Sequence, residues 1–200
     1  MSDYILEYAS QSGGIISIEG IIPKKTVEFM AFLTSFSDNM TSNWNEEVVY
    51  GRQDSIGTFQ NTSRKISLAF DVPAVDMIEA KINLGYINSV KRFMYPAYSS
   101  VGGNNSTTNA LSLSKSPLIR IKFANLIQNQ EGKGLLGWIN SFSATPVIEM
   151  GMFNENSMLF PKVYNVSLDF TPQHEFDLGY NHKGAEIDDR FKKFPYDGEM

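Results

Sequence analysis

Apolar and polar positions alternate with a period of two in segments of this chain, the pattern of half-buried β-strands. Residues 15–22 follow Gly13-Gly14, stop at the breaker Pro23 and predict a first strand. In residues 26–36, Val27, Phe29, Ala31 and Leu33 alternate with Glu28, Met30, Phe32 and Thr34. Both sets are largely apolar, which predicts either a strand covered on both faces or one face in a core and the other in a subunit contact. The polar residues 37–45, with Trp44 among them, read as a loop. Short strands are predicted at 47–50 and 56–60, joined by Gly51-Arg52-Gln53-Asp54-Ser55. Residues 64–72 form the cleanest half-buried pattern. Ile66, Leu68, Phe70 and Val72 point one way; Lys65, Ser67 and Asp71 point the other, with Ala69 between.

The period then changes. From Val75 to Met94, the apolar residues Val75, Ile78, Ile82, Tyr86, Val90 and Phe93 recur every three or four positions, predicting one amphipathic helix. Pro73, Asp76 and Glu79 sit at its start and Lys91, Arg92 and Pro96 at its end, as the helix dipole and terminus rules favour. Residues 99–116 are rich in Ser, Asn, Gly and Thr and read as a long mobile loop, or one that orders on a neighbour. Further strands are predicted at 118–127, 134–143, 147–153 and 161–170, with a turn at 128–133. Residues beyond Tyr180 turn charged and poor in aliphatics, and read as an extended arm. The chain thus divides into a β domain over 1–180, containing the 99–116 loop, and a charged C-terminal arm over 181–200. No repeat or interdomain linker interrupts it. The fold class is all-β, a sandwich or barrel with one helix packed on it.

Composition narrows the chemistry. The aromatic supply is generous, at fourteen Phe, nine Tyr and two Trp in 200 residues, which favours strands. A net charge of −5 argues against a basic nucleic-acid groove. Without cysteine there are no disulfides, thiolate metal sites or Cys nucleophile. Two histidines, His174 and His182, exclude a His-rich metal centre. Residues 1–20 lack the basic start and apolar run of a signal peptide, and no stretch approaches the ~20 apolar residues of a membrane span. The expectation is a soluble product, made in a cytoplasm and held together by packing, with no cofactor and no membrane contact.

Candidate chemistry is sparse. There is no nucleophile elbow and no phosphate-binding Gly-rich loop. His174-Glu175 near Asp177 could be a base with its orienting carboxylate, but the setting at a strand end after Pro172 favours a plain structural role. Glu46 and Glu47 with Asp54 could form a carboxylate dyad, yet nothing fixes their separation. Glu186, Asp188 and Asp189 lack the spacing of a calcium loop. Arg52 beside Asp54 reads equally as a charge-assisted pair at a subunit contact or as a solvated hairpin tip. Trp44 and Trp138 could form a sugar-stacking platform; packing in a core or interface is the favoured reading.

An ordered series of segments, spread over residues 25–180, carries a family resemblance. It opens with Val27-Glu28-Phe29-Met30-Ala31-Phe32-Leu33-Thr34 and Trp44-Asn45-Glu46-Glu47-Val48-Val49-Tyr50-Gly51-Arg52-Gln53-Asp54. It continues through Thr62-Ser63-Arg64-Lys65-Ile66, Asp71-Val72-Pro73-Ala74 and Met94-Tyr95-Pro96. Pro117-Leu118-Ile119-Arg120-Ile121-Lys122-Phe123, Gly134-Leu135-Leu136-Gly137-Trp138, Leu159-Phe160-Pro161-Lys162 and Phe170-Thr171-Pro172-Gln173-His174-Glu175 complete it. The series resembles tail tube initiator and tube-baseplate junction proteins of contractile-tailed bacteriophages.

That resemblance implies a tail-tube-like half-barrel of two sheets with one flanking helix, in a homo-hexameric ring around a central channel. It implies a non-enzymatic virion protein, assembled in the host cytoplasm, that joins the baseplate hub and spike to the first tail tube ring and starts tube polymerisation, with wedge proteins as further candidate neighbours. DNA would pass through the lumen only transiently; six copies carry about −30 charges, which would repel phosphates. The subunit-interface candidates are Phe32, Trp44, Tyr50, Arg52, Asp54 and Arg120. Two other functions fit a chain of this kind: a major tail tube subunit, and a carbohydrate-binding β-sandwich on a tail appendage.

Overall fold

The structure is a computed structural model that describes residues 14–30, 32–100, 111–129, 131–175, 178–180 and 182–183. The fold is all-β with one helix. Strands β1 (Ile15–Gly20), β2 (Lys25–Met30), β3 (Phe32–Glu47), β4 (Ile56–Pro73), β7 (Ile119–Phe123), β8 (Leu135–Pro146) and β11 (Val163–Pro172) make one antiparallel sheet, ordered β2-β1-β7-β8-β11-β4-β3. Two smaller ribbons pair β5 (Ala97–Ser100) with β6 (Leu111–Lys115) and β9 (Met152–Glu155) with β10 (Met158–Pro161).

The strand order dictates the shape. β2 and β3 are separated by one residue in the chain, yet they stand at opposite ends of the sheet. The sheet must therefore curl until its two edges approach, because one residue bridges only about 7 Å. The Phe29 ring of β2 accordingly meets the Phe70 ring of β4, with centroids 5.8 Å apart. The run 26–36, expected as one strand, is two strands at opposite edges.

Alternation along each strand fills the inside of this curl. Ile16, Ile18, Val27, Phe29, Ile66, Leu68, Phe70, Ile119, Ile121, Val166, Leu168 and Phe170 are all buried there. The opposite face carries short polar side chains that bond across strands. Ser67 and Ser141 both donate to Asp169, each at 2.7 Å, which holds its carboxyl below the usual range. Asn165 donates to Asp71 at 2.8 Å.

Helix α1 (Met77–Phe93) closes one side of the core. The Asp76 side chain accepts from the Glu79 N–H at 2.8 Å, and Glu79 reaches back to the Val75 N–H at 2.7 Å, so both carboxylates occupy orphan donors at the helix start. Its inward face is Ala80, Asn83, Ile87, Val90 and Phe93. Tyr86 packs edge-on against Phe29, and Asn83 donates to the Pro73 carbonyl at 3.0 Å. Val75, Ile78 and Ile82, expected on the buried stripe, face outward. At the far end, Phe93 lies so close to Gly20 that a Cβ there would fall 2.8 Å from its ring.

Further expectations change. Residues 37–45 are not a loop but the middle of β3, and 56–60 and 64–72 are one strand, β4. Tyr50 lies in the turn after β3 rather than in a strand, and 148–150 form a short 3-10 turn before β9. Residues 99–100 and 111–115 of the expected mobile loop are paired strand, while 101–110 lie outside the described residues. Most of the expected arm, 184–200, also lies outside them.

Candidate functional site

The most conspicuous feature is the part of the β3–β4 pair that runs past the core. Pairing continues from Phe32↔Asp71 to Glu47↔Ile56, but burial ends near Arg64. From Met40↔Arg64 outward the two strands form a free ribbon closed by the turn 48–55. Side-chain parity explains its character. Met40 and Trp44 on β3, and Phe59 on β4, share the face of Ile66, Leu68 and Phe70; the register shift at Asn43/Trp44 keeps Trp44 and Phe59 on that face. The core-facing side of the sheet thus continues outward with nothing in the described chain upon it. Trp44 is 57% exposed and Phe59 51%, and their rings meet edge to face at 5.3 Å. The opposite face is polar: Asn43 donates to Asn61 at 2.6 Å and Ser63 to the Thr41 carbonyl.

An ion pair marks the boundary between core and ribbon. Arg64 Nε donates to both Asp38 carboxylate oxygens, at 2.8 and 3.0 Å, and its Nη2 joins Asp38 as well. Both side chains are almost fully buried. A charge this deep requires bidentate geometry, which the guanidinium fork provides. His174 lies near this pair, and burial, together with the Arg64 charge, depresses its pKa below the ordinary histidine value against the opposing pull of Asp38.

The sequence candidates divide by location. Trp44, Tyr50, Arg52 and Asp54 all gather on the ribbon and its turn, where Tyr50 is fully exposed. Arg52 and Asp54 are exposed, and no ion pair joins them among the described residues. Phe32 is exposed at the other end of β3. Arg120 lies elsewhere, on β7, in a bidentate bridge to Glu175 with one contact at 2.7 Å. That bridge raises the Arg120 pKa and lowers that of Glu175. Glu175 therefore serves Arg120 rather than orienting His174, and Asp177, Glu186, Asp188 and Asp189 lie outside the described residues. Glu46 accepts a long bond from Ser55 Oγ at 3.4 Å.

Trp138 corrects the expectation of a buried strand residue. It is 41% exposed, and its indole N–H donates to Asn140 at 2.9 Å. Its neighbour Gly137 is the tightly packed position: a Cβ there would meet the Thr171 carbonyl oxygen at 2.2 Å. Sequence reading missed Met40, Phe59 and the Asp38–Arg64 pair. Among the described residues, no three His, Asp or Glu side chains group as a metal site, and no helix is long and apolar enough to cross a membrane.

No protein family model and no curated protein matches the sequence. Three solved structures show some likeness. The Dit protein of phage SPP1, described as a paradigm of the hub adsorption apparatus in phages infecting Gram-positive hosts, aligns over 79% of this chain at 8% identity and a TM-score of 0.42. This chain spans about half, 49%, of that protein's length. A chain from the tail of an empty GTA particle, refined with C6 symmetry, aligns over 83% of this chain and 96% of its own at 8% identity and a TM-score of 0.37. A chain of the six-fold symmetrised baseplate of the anti-feeding prophage aligns over 78% and 87% respectively, at 6% identity and a TM-score of 0.33.

Proposed function

We propose that this chain is a structural subunit of a phage-type contractile tail, forming a six-membered ring that joins the baseplate hub to the tail tube and starts tube polymerisation. The role is architectural: it works through the surfaces it presents to copies of itself and to adjacent rings. The ordered segments that resemble tube initiator and junction proteins support the reading. The observation that carries it is the free β3–β4 ribbon, whose apolar face continues the core face into solvent with Met40, Trp44 and Phe59. In a monomer, such a ribbon at a sheet edge invites aggregation; in an assembly it is an interface. β3 is a terminal strand of the sheet, so its outer edge offers backbone donors and acceptors to a neighbouring strand.

Negative-stain electron microscopy of the purified protein tests this. Six-fold rings with a central hole are expected; monodisperse monomers at every concentration would overturn the proposal. Long helical stacks formed without a hub would instead identify a tube subunit.

Carbohydrate binding is a second reading, favoured by the exposure of Trp44 and Trp138. A glycan array decides it: a defined sugar ligand lost on Trp44→Ala or Trp138→Ala supports it, and an array without signal removes it.

A further inference from the structure

Helix α1 carries another surface that no described residue covers. At about 100° per residue, Ile78, Ile82, Gly85, Ser89 and Arg92 lie along one stripe of the helix. Ile78 is 69% exposed and Ile82 46%. Gly85 sits in the helix interior, where glycine is the least favourable residue after proline. Among the described residues nothing lies within 4 Å of where its Cβ would stand, so no contact with them requires a missing side chain there. A notch between Ile82 and Ser89 suits the close approach of another backbone. The stripe ends in positive charge: Arg92 is exposed, and Lys25 Nζ contacts Ser89 Oγ at 3.2 Å. These residues and Tyr95 line a shallow groove at that end.

We propose that this stripe receives the β3–β4 ribbon of a second copy of the chain. The two surfaces match in three ways. Both carry exposed apolar side chains, with Met40, Trp44 and Phe59 of the ribbon facing Ile78 and Ile82 in the first half of the helix. Both have the same length, since Met40 to Glu47 spans about 24 Å as strand and the 17-residue helix about 25 Å. Their charges are opposite: the outer ribbon and its turn carry Glu46, Glu47 and Asp54 against Arg52, while Lys25 and Arg92 border the stripe. The exposed Tyr50 at the ribbon turn is the side chain to enter the groove beside Arg92. A molecule cannot make this contact with itself in the fold described, because both surfaces are exposed at once. Two different patches meeting between identical copies form a head-to-tail contact, which closes into a ring or continues as a filament. The inference rests on the self-assembly proposed above and names its contact.

Gly85→Leu tests it, because folding and docking respond with opposite signs. Leucine is a good helix former with open space around it, so the variant should melt at a higher temperature than the wild type. Its side chain fills the notch, so association should weaken at least tenfold in sedimentation equilibrium. Wild-type rings together with equal rings from Gly85→Leu overturn the contact and leave the ring standing. A wild-type protein that is monomeric throughout overturns both. Should Gly85→Leu melt lower, the charges decide. Glu46→Lys with Glu47→Lys, and separately Lys25→Glu with Arg92→Glu, should each weaken association, and a mixture of the two double variants should restore it. Failure of that mixture to associate better than either alone overturns the proposal.

Discussion

At the scale of the residue, the chain places its buried ion pair at the end of the core. Asp38 and Arg64 sit where the dry interior gives way to the ribbon, and each depends on the other's charge. Removing one partner of a buried pair costs about 3–5 kcal/mol. Asp38→Ala should therefore lower the urea midpoint strongly; a change within error would show that the pair is dispensable. His174 adds a pH dependence. Its folded pKa lies below the ordinary 6.5, so below that pH the unfolded chain binds a proton that the folded chain resists. Its contribution is full above the unfolded pKa and is lost as pH falls towards the folded one. Chemical denaturation at pH 7.5 and 5.5 should show lower stability at the acid end, and His174→Gln should flatten that difference. Equal slopes in the two proteins would contradict the assignment. Asp169 and Glu175, whose pKa values are also lowered, lose their contributions further into acid.

At the scale of the element, the helix start and the close strand contact make the sharpest statements. Asp76→Ala removes the cap that accepts from Glu79 and should cost about 1 kcal/mol. Gly137→Ala drives a methyl into the Thr171 carbonyl of the neighbouring strand, for which about 3 kcal/mol or more is expected. Thermal melts check both; a Gly137→Ala protein as stable as wild type would refute the packing described here.

The same elements show what was legible in the sequence. Breakers and turn residues located β1, β7 and β8, and alternation located β11 and the inner half of β4, whose one face is in the core. Alternation failed at residues 37–45, where burial stops. Polar residues there reflect exposure of a strand held by pairing with β4, which local composition cannot reveal. The helix was legible, but its inward face only at Tyr86, Val90 and Phe93. The core contact uses Ala80 and Asn83, which a count of large apolar residues overlooks, while Ile78 and Ile82 face outward. The ribbon turn was marked by Trp44, Tyr50, Arg52 and Asp54, yet Phe59 escaped because the register shift moves it onto the face of Trp44.

At the scale of the whole molecule, a single curled sheet holds a well-filled core, and exposed apolar surfaces lie outside it that no described residue covers. The ribbon and the outer stripe of α1 are among them. That pairing of a satisfied interior with unsatisfied exterior surfaces is what an assembly subunit requires. It predicts that replacing Trp44 and Phe59 together by serine leaves the melting temperature close to that of the wild type, since neither ring is in the core. The same double variant should lose self-association. A large drop in melting temperature would mean that the ribbon stabilises the monomer instead.

The mass of the particle in solution bears most directly on the account. Native mass spectrometry of the purified chain, taken from dilute to concentrated solution, should resolve a closed species of six 22.5 kDa subunits. Persistence of a single subunit across the whole range, with the ribbon intact, would contradict it.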